Sequence, residues 1–250
     1  MSCKNGDNYF RRFDEYYTKY EHVEEIFTDY IKKYELKDKI IYCPCDSEKS
    51  NFVIWLKEHK DEYQYKELIY TCDDYNTHLE LFEYCDIIIT NPPFSKLCKE
   101  FIPILNNVNK KFFILGSKIT LISYLKNFDN KNIKFILPIK WFRFDIPEDY
   151  NLSDKPSYIY ITNMDVDNHH KLLELYEDKH KETYIQDNKG NKYLNYNRLS
   201  DIPKDIDKEF YCPITVLFEH NRYLFDIIKP IPFRPRNTYM RILVKRKINI

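Results

Sequence analysis

The stretch Asp86-Ile87-Ile88-Ile89-Thr90-Asn91-Pro92-Pro93-Phe94 constrains this chain more than any other. A short Ile-rich run bounded by a polar turn predicts a buried strand, with the Asn-Pro-Pro-Phe tetrapeptide at its C-terminal end. Open α/β sheets bind their ligands at that end of their strands. Two consecutive prolines fix two φ angles and remove two N–H donors. What remains is a stiff turn offering acceptors: the Asn91 side-chain oxygen and nearby carbonyls. It suits a substrate that donates two N–H bonds from one exocyclic amine, as adenine N6 or cytosine N4 does. The plainer alternative is a strand stop followed by a helix start at Ser95.

The surrounding pattern alternates. Apolar residues at helical spacing from Asp14 to Tyr34 predict an amphipathic helix or two short ones. Lys39–Cys43 reads as a buried strand and Glu67–Thr71 as a second strand, with a helix over Asn51–Leu56 between them capped by Ser47 or Ser50. A short helix over Leu79–Glu83 precedes the Ile-rich strand. A helix over about Lys96–Asn106 and a strand at Lys111–Gly116 follow it. Tyr158–Thr162, Pro213–Phe218 and Tyr239–Val244 are further β-like runs, and Gly190 sits in a polar turn. Strands alternating with helices predict an α/β fold, a mixed, mostly parallel sheet with helices on both faces.

The 250 residues suffice for one domain with a real core. Formal net charge is +0, so a polyanion partner would need local segregation of basic residues. Such residues gather late: Arg222, Lys229, Arg234, Arg236, Arg241 and Lys245–Lys247. The last three read equally well as a solvated basic tail. Alanine is absent and glycine appears three times, which makes glycine-based fingerprints unreliable here. Cys43-Pro44-Cys45 has no second Cys or His pair at zinc spacing, so no metal is expected. The scattered cysteines read as reduced thiols. With no secretory pattern or membrane-length apolar run, the chain is expected inside the cell, in a bacterium or in the host of a virus.

Asp, three apolar residues and Thr-Asn-Pro-Pro-Phe together resemble the catalytic motif of S-adenosylmethionine-dependent amino-group methyltransferases. The resemblance implies a compact Rossmann-like fold. It needs a tight turn after the first strand, here the glycine-free Cys43-Pro44-Cys45-Asp46, and an acid after the second strand for ribose hydroxyls, Asp73 or Asp74. A helix cap is an equally good reading of either acid. The interval from Asp74 to Asp86 holds only one short helix, so one strand of the usual sheet is expected to be missing.

Along most of its length the chain resembles adenine-specific DNA methyltransferases of the EcoRI modification type. Phe13-Asp14-Glu15-Tyr16-Tyr17-Thr18 is similar to an element that contacts the methionine part of the cofactor in that family. Tyr42–Asp46 with Ser50-Asn51-Phe52 is similar to its first motif, and Lys110–Gly116 and Ile161–Asp165 echo later stretches. The resemblance implies methyl transfer from S-adenosylmethionine to adenine N6 in a flipped-out base of double-stranded DNA. Asn91, Pro92, Pro93 and Phe94 would be catalytic. Tyr16, Tyr17, Thr18, Cys43, Pro44, Cys45, Asp46, Asn51, Asp73, Asp74 and Asn91 would bind the cofactor. Arg143, Tyr196, Arg222, Arg234 and Arg236 are the DNA-contact candidates, with Phe142, Phe144 and Tyr196 as wedging or stacking groups. One methyltransferase domain over 1–250 is expected, with its cofactor and catalytic core at about 9–138 and target recognition within 139–250. A monomer is expected, with a companion restriction endonuclease. The alternatives are an RNA-base or protein-glutamine methyltransferase with the same turn chemistry, or an inactive relative that only binds nucleic acid.

Overall fold

The computed structural model describes residues 17–31, 33–94, 96–117, 133–138, 140–146, 158–166, 182–187, 189–214, 225–233 and 240–247. The chain divides into two compact units, Met1–Ser123 with Asp129–Asn168, and Tyr124–Phe128 with His169–Ile250.

The first unit is built on a six-stranded sheet. Its strands are β1 (Ile40–Pro44), β2 (Glu67–Thr71), β3 (Ile87–Thr90), β4 (Lys111–Ser117), β5 (Lys134–Ile136) and β6 (Tyr158–Thr162). The order is β2-β1-β3-β4-β6-β5, with β1 to β4 parallel and β6 antiparallel to both neighbours. β1 and β3 are buried throughout, as central parallel strands covered on both faces must be.

Alternation sorts their side chains. Ile41, Cys43, Ile87, Ile89, Phe113 and Leu115 join one core with Phe27, Phe52 and Trp55. Phe27 stacks on Trp55 at 4.2 Å, joining the N-terminal helical segment to the helix Asn51–Glu58. Tyr42 points the other way and meets Phe82 edge-on at 5.2 Å, with Phe101 behind it. Helices therefore cover both faces, as α/β patterning predicts.

Between Thr71 and Ile87 the chain makes only a 3₁₀ turn, Tyr75–His78, and a helix, Leu79–Tyr84. The strand expected to be missing is absent from that interval. Within the expected span Asp14–Tyr34, residues 14–16 lie outside the described ones; a helix runs over Tyr20–Glu25 and continues as a π-helical turn over Ile26–Tyr30, while Tyr17–Lys19 are not helical. The reason is tertiary: Tyr17 is bridged to Asp145 by two backbone hydrogen bonds, 2.8 and 3.0 Å, which hold it extended. The segment after the Pro-Pro turn starts as a π turn, Leu97–Phe101, before the helix Ile102–Val108. Leu97 packs close to Gly116 on β4, where an added Cβ would fall 2.9 Å from Leu97 Cδ2 and 2.7 Å from Ile161 Cδ1.

The second unit holds a sheet of order β10-β11-β9-β8-β7. Its strands are β7 (Thr183–Gln186), β8 (Lys192–Asn195), β9 (Glu209–Pro213), β10 (Phe225–Phe233) and β11 (Arg241–Arg246). All pairings are antiparallel except β8 with β9. Of the run expected at Pro213–Phe218, Pro213 ends β9, which pairs with β11 from Glu209 to Pro213, and Ile214 is in a turn. Residues 215–224 lie outside the described ones. Gly190 does turn with positive φ, 84°, and Asp187 closes that loop by accepting from the Lys189 and Asn191 N–H groups. The small core of this unit includes Leu194, Tyr196, Ile202, Phe210, Cys212, Ile242 and Val244.

Candidate active site

β1 and β3 are parallel neighbours, with Ile41 opposite Ile87 and Tyr42 opposite Ile88, so their C-terminal ends open on the same edge of the sheet. The turn after β1 is Cys45-Asp46; the turn after β3 is Asn91-Pro92-Pro93. Cys45 adopts a left-handed conformation, φ 69°, which supplies the sharp bend that glycine usually provides. Ser50 then caps the helix Asn51–Glu58, accepting from the Phe52 N–H at 3.3 Å.

A buried carboxyl joins the two turns. Asp46 is 6% exposed; its Oδ1 accepts from the Ser50 hydroxyl at 2.5 Å and its Oδ2 lies 2.7 Å from Thr90 Oγ1. Thr90 Oγ1 is also within hydrogen-bond reach of the Pro44 carbonyl oxygen. Burial pushes the Asp46 carboxyl up to about 7, against a lowering by the Ser50 and Thr90 hydroxyls. Both Asp46 oxygens are thus engaged within the chain. Thr90 and this use of Asp46 escaped sequence reading, because only folding makes residues so far apart in sequence neighbours.

The Asn91-Pro92-Pro93-Phe94 tetrapeptide follows β3 at the C-terminal edge of the sheet, as expected of a strand-end turn. Pro92 is buried, while Asn91, Pro93 and Phe94 are half-buried; the Asn91 side-chain oxygen is itself shielded from solvent. Phe94 packs against the core that contains Phe27 and Trp55. The Lys96 N–H donates to the Pro93 carbonyl at 3.2 Å and tightens the turn.

Other candidates converge on the same edge. Asn51 Nδ2 donates to the Thr18 carbonyl at 2.8 Å, which ties the extended Tyr17-Thr18 segment to the capped helix. Thr18 is 7% exposed, and its hydroxyl has no partner among the described residues. Tyr17 is exposed, and Tyr16 lies outside the described residues. At the end of β2, Asp73 is exposed and paired with His78 Nε2 at 2.8 and 2.9 Å, a contact that lowers its carboxyl. Asp74 is the cap of the 3₁₀ turn, accepting from the Asn76 N–H at 3.1 Å. Cys43 is fully buried, and burial holds its thiol well above the usual range, which removes it as a nucleophile. No group of three or more His, Cys, Asp or Glu residues among the described ones is arranged to hold a metal.

Beside Tyr17 lies a cluster that sequence reading did not identify. His22 is wholly buried, stacked on Phe142 at 4.9 Å, with Nε2 2.9 Å from the Tyr160 hydroxyl. Burial lowers His22 to about 3, so the ring is neutral. Tyr160 donates to Glu25 Oε1 at 3.3 Å, and burial raises the Glu25 carboxyl. Phe144 is 2% exposed and belongs to this core, whereas Trp141 and Arg143 on the same segment are exposed.

Among the DNA-contact candidates of the second unit, Arg222, Arg234 and Arg236 lie outside the described residues. Tyr196 is 4% exposed and edge-on to Phe210, so it serves that unit's core and its ring is not presented for stacking on a base. Arg241 is also buried, at 4% exposure, with Nη2 donating to Asn197 Oδ1 at 3.1 Å.

The family model described as "Adenine-specific methyltransferase EcoRI" matches residues 74–235 of the chain. The Type II methyltransferase M.EcoRI of Escherichia coli is 27% identical over 312 aligned residues, covering 94% of this chain and 93% of its own length. The Type II methyltransferase M.MgeORF184P of Mycoplasma genitalium is 28% identical over 131 residues, 41% of this chain and 40% of its own length.

Proposed function

We propose the following from one premise, that the chain belongs to the family of EcoRI-type adenine-specific methyltransferases. It is a site-specific DNA methyltransferase that transfers a methyl group from S-adenosylmethionine to adenine N6. The observation that carries the reading is the juxtaposition of two strand-end turns, Cys45-Asp46 after β1 and Asn91-Pro92-Pro93 after β3, bonded through Asp46 and Thr90.

The residues present fit the cofactor. Cys45 makes the tight turn without glycine, and the Thr18 hydroxyl is a buried polar group with no partner among the described residues. Tyr17, Thr18 and Asn51 would hold the amino-acid end, Cys43–Asp46 would shape the turn beneath it, and Asp73 would accept from the ribose hydroxyls. Asp74 is already committed as a cap. When bound, S-adenosylmethionine supplies an electrophilic sulfonium methyl.

The chain's own part is positioning. The adenine amine is a poor nucleophile because its lone pair is delocalised into the ring. The Asn91 side-chain oxygen and the Pro92 carbonyl accept its two N–H bonds, which draws the nitrogen toward tetrahedral geometry and fixes the lone pair's direction. Preorganised acceptors of this kind in a dry site contribute a few kcal/mol each. The target base leaves the duplex to reach them, and Phe94 contacts its ring. Arg143 in the first unit, with Arg222, Arg234 and Arg236 in the second, contact DNA. The second unit carries target recognition, the protein acts as a monomer inside the cell where its substrate is, and a restriction endonuclease accompanies it.

Expression in a methylation-free host followed by sequencing for N6-methyladenine tests the reading directly. A consensus site carrying the mark is the expected result. Unmarked DNA from cells holding folded protein would refute it.

A further inference from the structure

Asp46 faces more acceptors than there are protons to serve them. Three hydrogen-bonded contacts link Asp46, Ser50, Thr90 and Pro44: Ser50 Oγ to Asp46 Oδ1, Thr90 Oγ1 to Asp46 Oδ2, and Thr90 Oγ1 to the Pro44 carbonyl. Ser50 and Thr90 bring one hydroxyl proton each. Ser50's goes to Oδ1, so Thr90 has a single proton to offer two acceptors, Oδ2 and the Pro44 oxygen. A hydroxyl donates once and accepts twice. With one proton to each contact, the set closes when a further proton sits on Oδ2: the acid donates to Thr90, and Thr90 donates to Pro44.

We propose that Asp46 is a positioning residue held as a neutral carboxylic acid, which latches Thr90, and with it the Asn91-Pro92 turn, to the end of β1. This inference rests on the methyltransferase reading for its catalytic consequence, but the protonation state stands on the contacts alone. The surroundings agree. Asp46 and Thr90 are buried, and no charged side chain among the described residues shifts the acid; burial raises it and only two hydroxyls oppose. From β1 the one titratable neighbour that senses Asp46 is Cys43, whose own thiol burial keeps neutral. β3 presents Thr90, and the start of the helix Asn51–Glu58 presents Ser50. Among the described residues, no cation there would stabilise a carboxylate as an arginine would.

The consequence is mechanical. Thr90 is the residue before Asn91, so its hydroxyl bonds anchor the Asn91 acceptor in register with the cofactor turn. Ionising Asp46 removes one proton, leaves two acceptors facing one hydroxyl, and breaks one of the two Thr90 contacts. A displacement of about 1 Å in a positioning element lowers turnover by about 10²-fold.

The direct test is a ¹³C NMR titration of the Asp46 carboxyl in the full chain without added cofactor, assigned with Asp46→Asn. A midpoint near 7, far above the ordinary 3.8, is expected. A carboxyl that titrates in the ordinary acid range overturns the latch, whatever the enzyme's activity. The kinetic arm uses Asp46→Ala, Asp46→Asn and Thr90→Val, each checked for folding by circular dichroism. Asp46→Ala and Thr90→Val should each lower kcat about 10²-fold with smaller changes in KM for S-adenosylmethionine, and the double variant should add little. Asp46→Asn, whose amide donates where the acid did, should recover most of the loss and abolish the fall in kcat as pH rises through the titration midpoint. A loss in Asp46→Asn equal to that in Asp46→Ala, or a KM effect with kcat intact, would instead mark an ionised carboxylate or a cofactor contact. If the parent protein methylates no adenine, the functional reading fails while the titration still decides the latch.

Discussion

At the level of single residues, the proposed active-site turn separates chemistry from stability. Asn91 is half-buried at a strand end, and its proposed task is to accept a hydrogen bond from an N–H of the amine. Asn91→Ala should lower kcat by about 10²- to 10³-fold, the usual effect of deleting one preorganised polar group. Its melting temperature should fall only slightly, since the residue is half-buried and lies at a strand end outside the core. A variant still marking adenine at the parent rate would remove Asn91 from the chemistry. Cys45 gives the opposite case, a non-glycine residue at positive φ. Such residues store about 1–3 kcal/mol of backbone strain, so Cys45→Gly should melt at the same temperature or higher. A clear drop would mean that the thiol contributes packing that outweighs the bend.

His22 shows how one buried ring sets a pH dependence. Its folded value lies near 3 against an ordinary 6.5, so the unfolded chain binds the extra proton. The stability this ring contributes is full above 6.5 and is lost as pH falls from 6.5 toward 3. Burial raises Asp46 and Glu25, so their contribution runs the other way, present at low pH and lost as pH rises through their folded values. His22→Gln should therefore flatten the acid side of a plot of unfolding free energy against pH. Unchanged slope there would show that His22 is protonated in the folded protein.

At the level of elements, the site depends on how helices start. Ser50 accepts from the Phe52 N–H and donates to Asp46, so Ser50→Ala removes a cap and a support together. Loss of an N-cap costs about 0.5–2 kcal/mol, and urea unfolding should show a decrease at the upper end of that range. Gly116 performs a different service. It leaves room on β4 for Leu97, which begins the π turn after the Pro-Pro motif. Gly116→Ala should destabilise by about 1–3 kcal/mol, since the added methyl must displace Leu97 and Ile161. Elements of this kind were legible to different degrees. Glu67–Thr71 and Tyr158–Thr162 are strands with the bounds that alternation and β-branched content predict. The helical turns from Tyr20 to Tyr30 fall within the expected Asp14–Tyr34 span, but their start was not legible, because a bridge to Asp145 holds Tyr17 extended.

At the level of the whole molecule, a formal net charge of +0 means DNA affinity has to come from local basic groups. Log Kd should still vary steeply with log salt, and Arg143→Ala should reduce that slope by about one if this exposed side chain meets a phosphate. An unchanged slope would take Arg143 off the DNA surface. The Asn91-Pro92-Pro93 turn after β3 and the turn after the first strand were recognisable because strand, stiff bend and residue type are adjacent in sequence. The aromatic candidates fared otherwise. Tyr196 and Phe144 are core residues, since a large ring in sequence looks the same whether it will be buried or offered to a base.

Local order in this chain thus carries what is covalently local: an apolar strand ending in a rigid acceptor turn, and with it the family and its chemistry. Tertiary structure alone decided which distant groups meet. Asp46 reaches Thr90 across 44 residues, and His22 reaches Tyr160 across 138. Burial then sets their protonation, because a low-dielectric interior disfavours charge in a way that no run of neighbouring letters encodes.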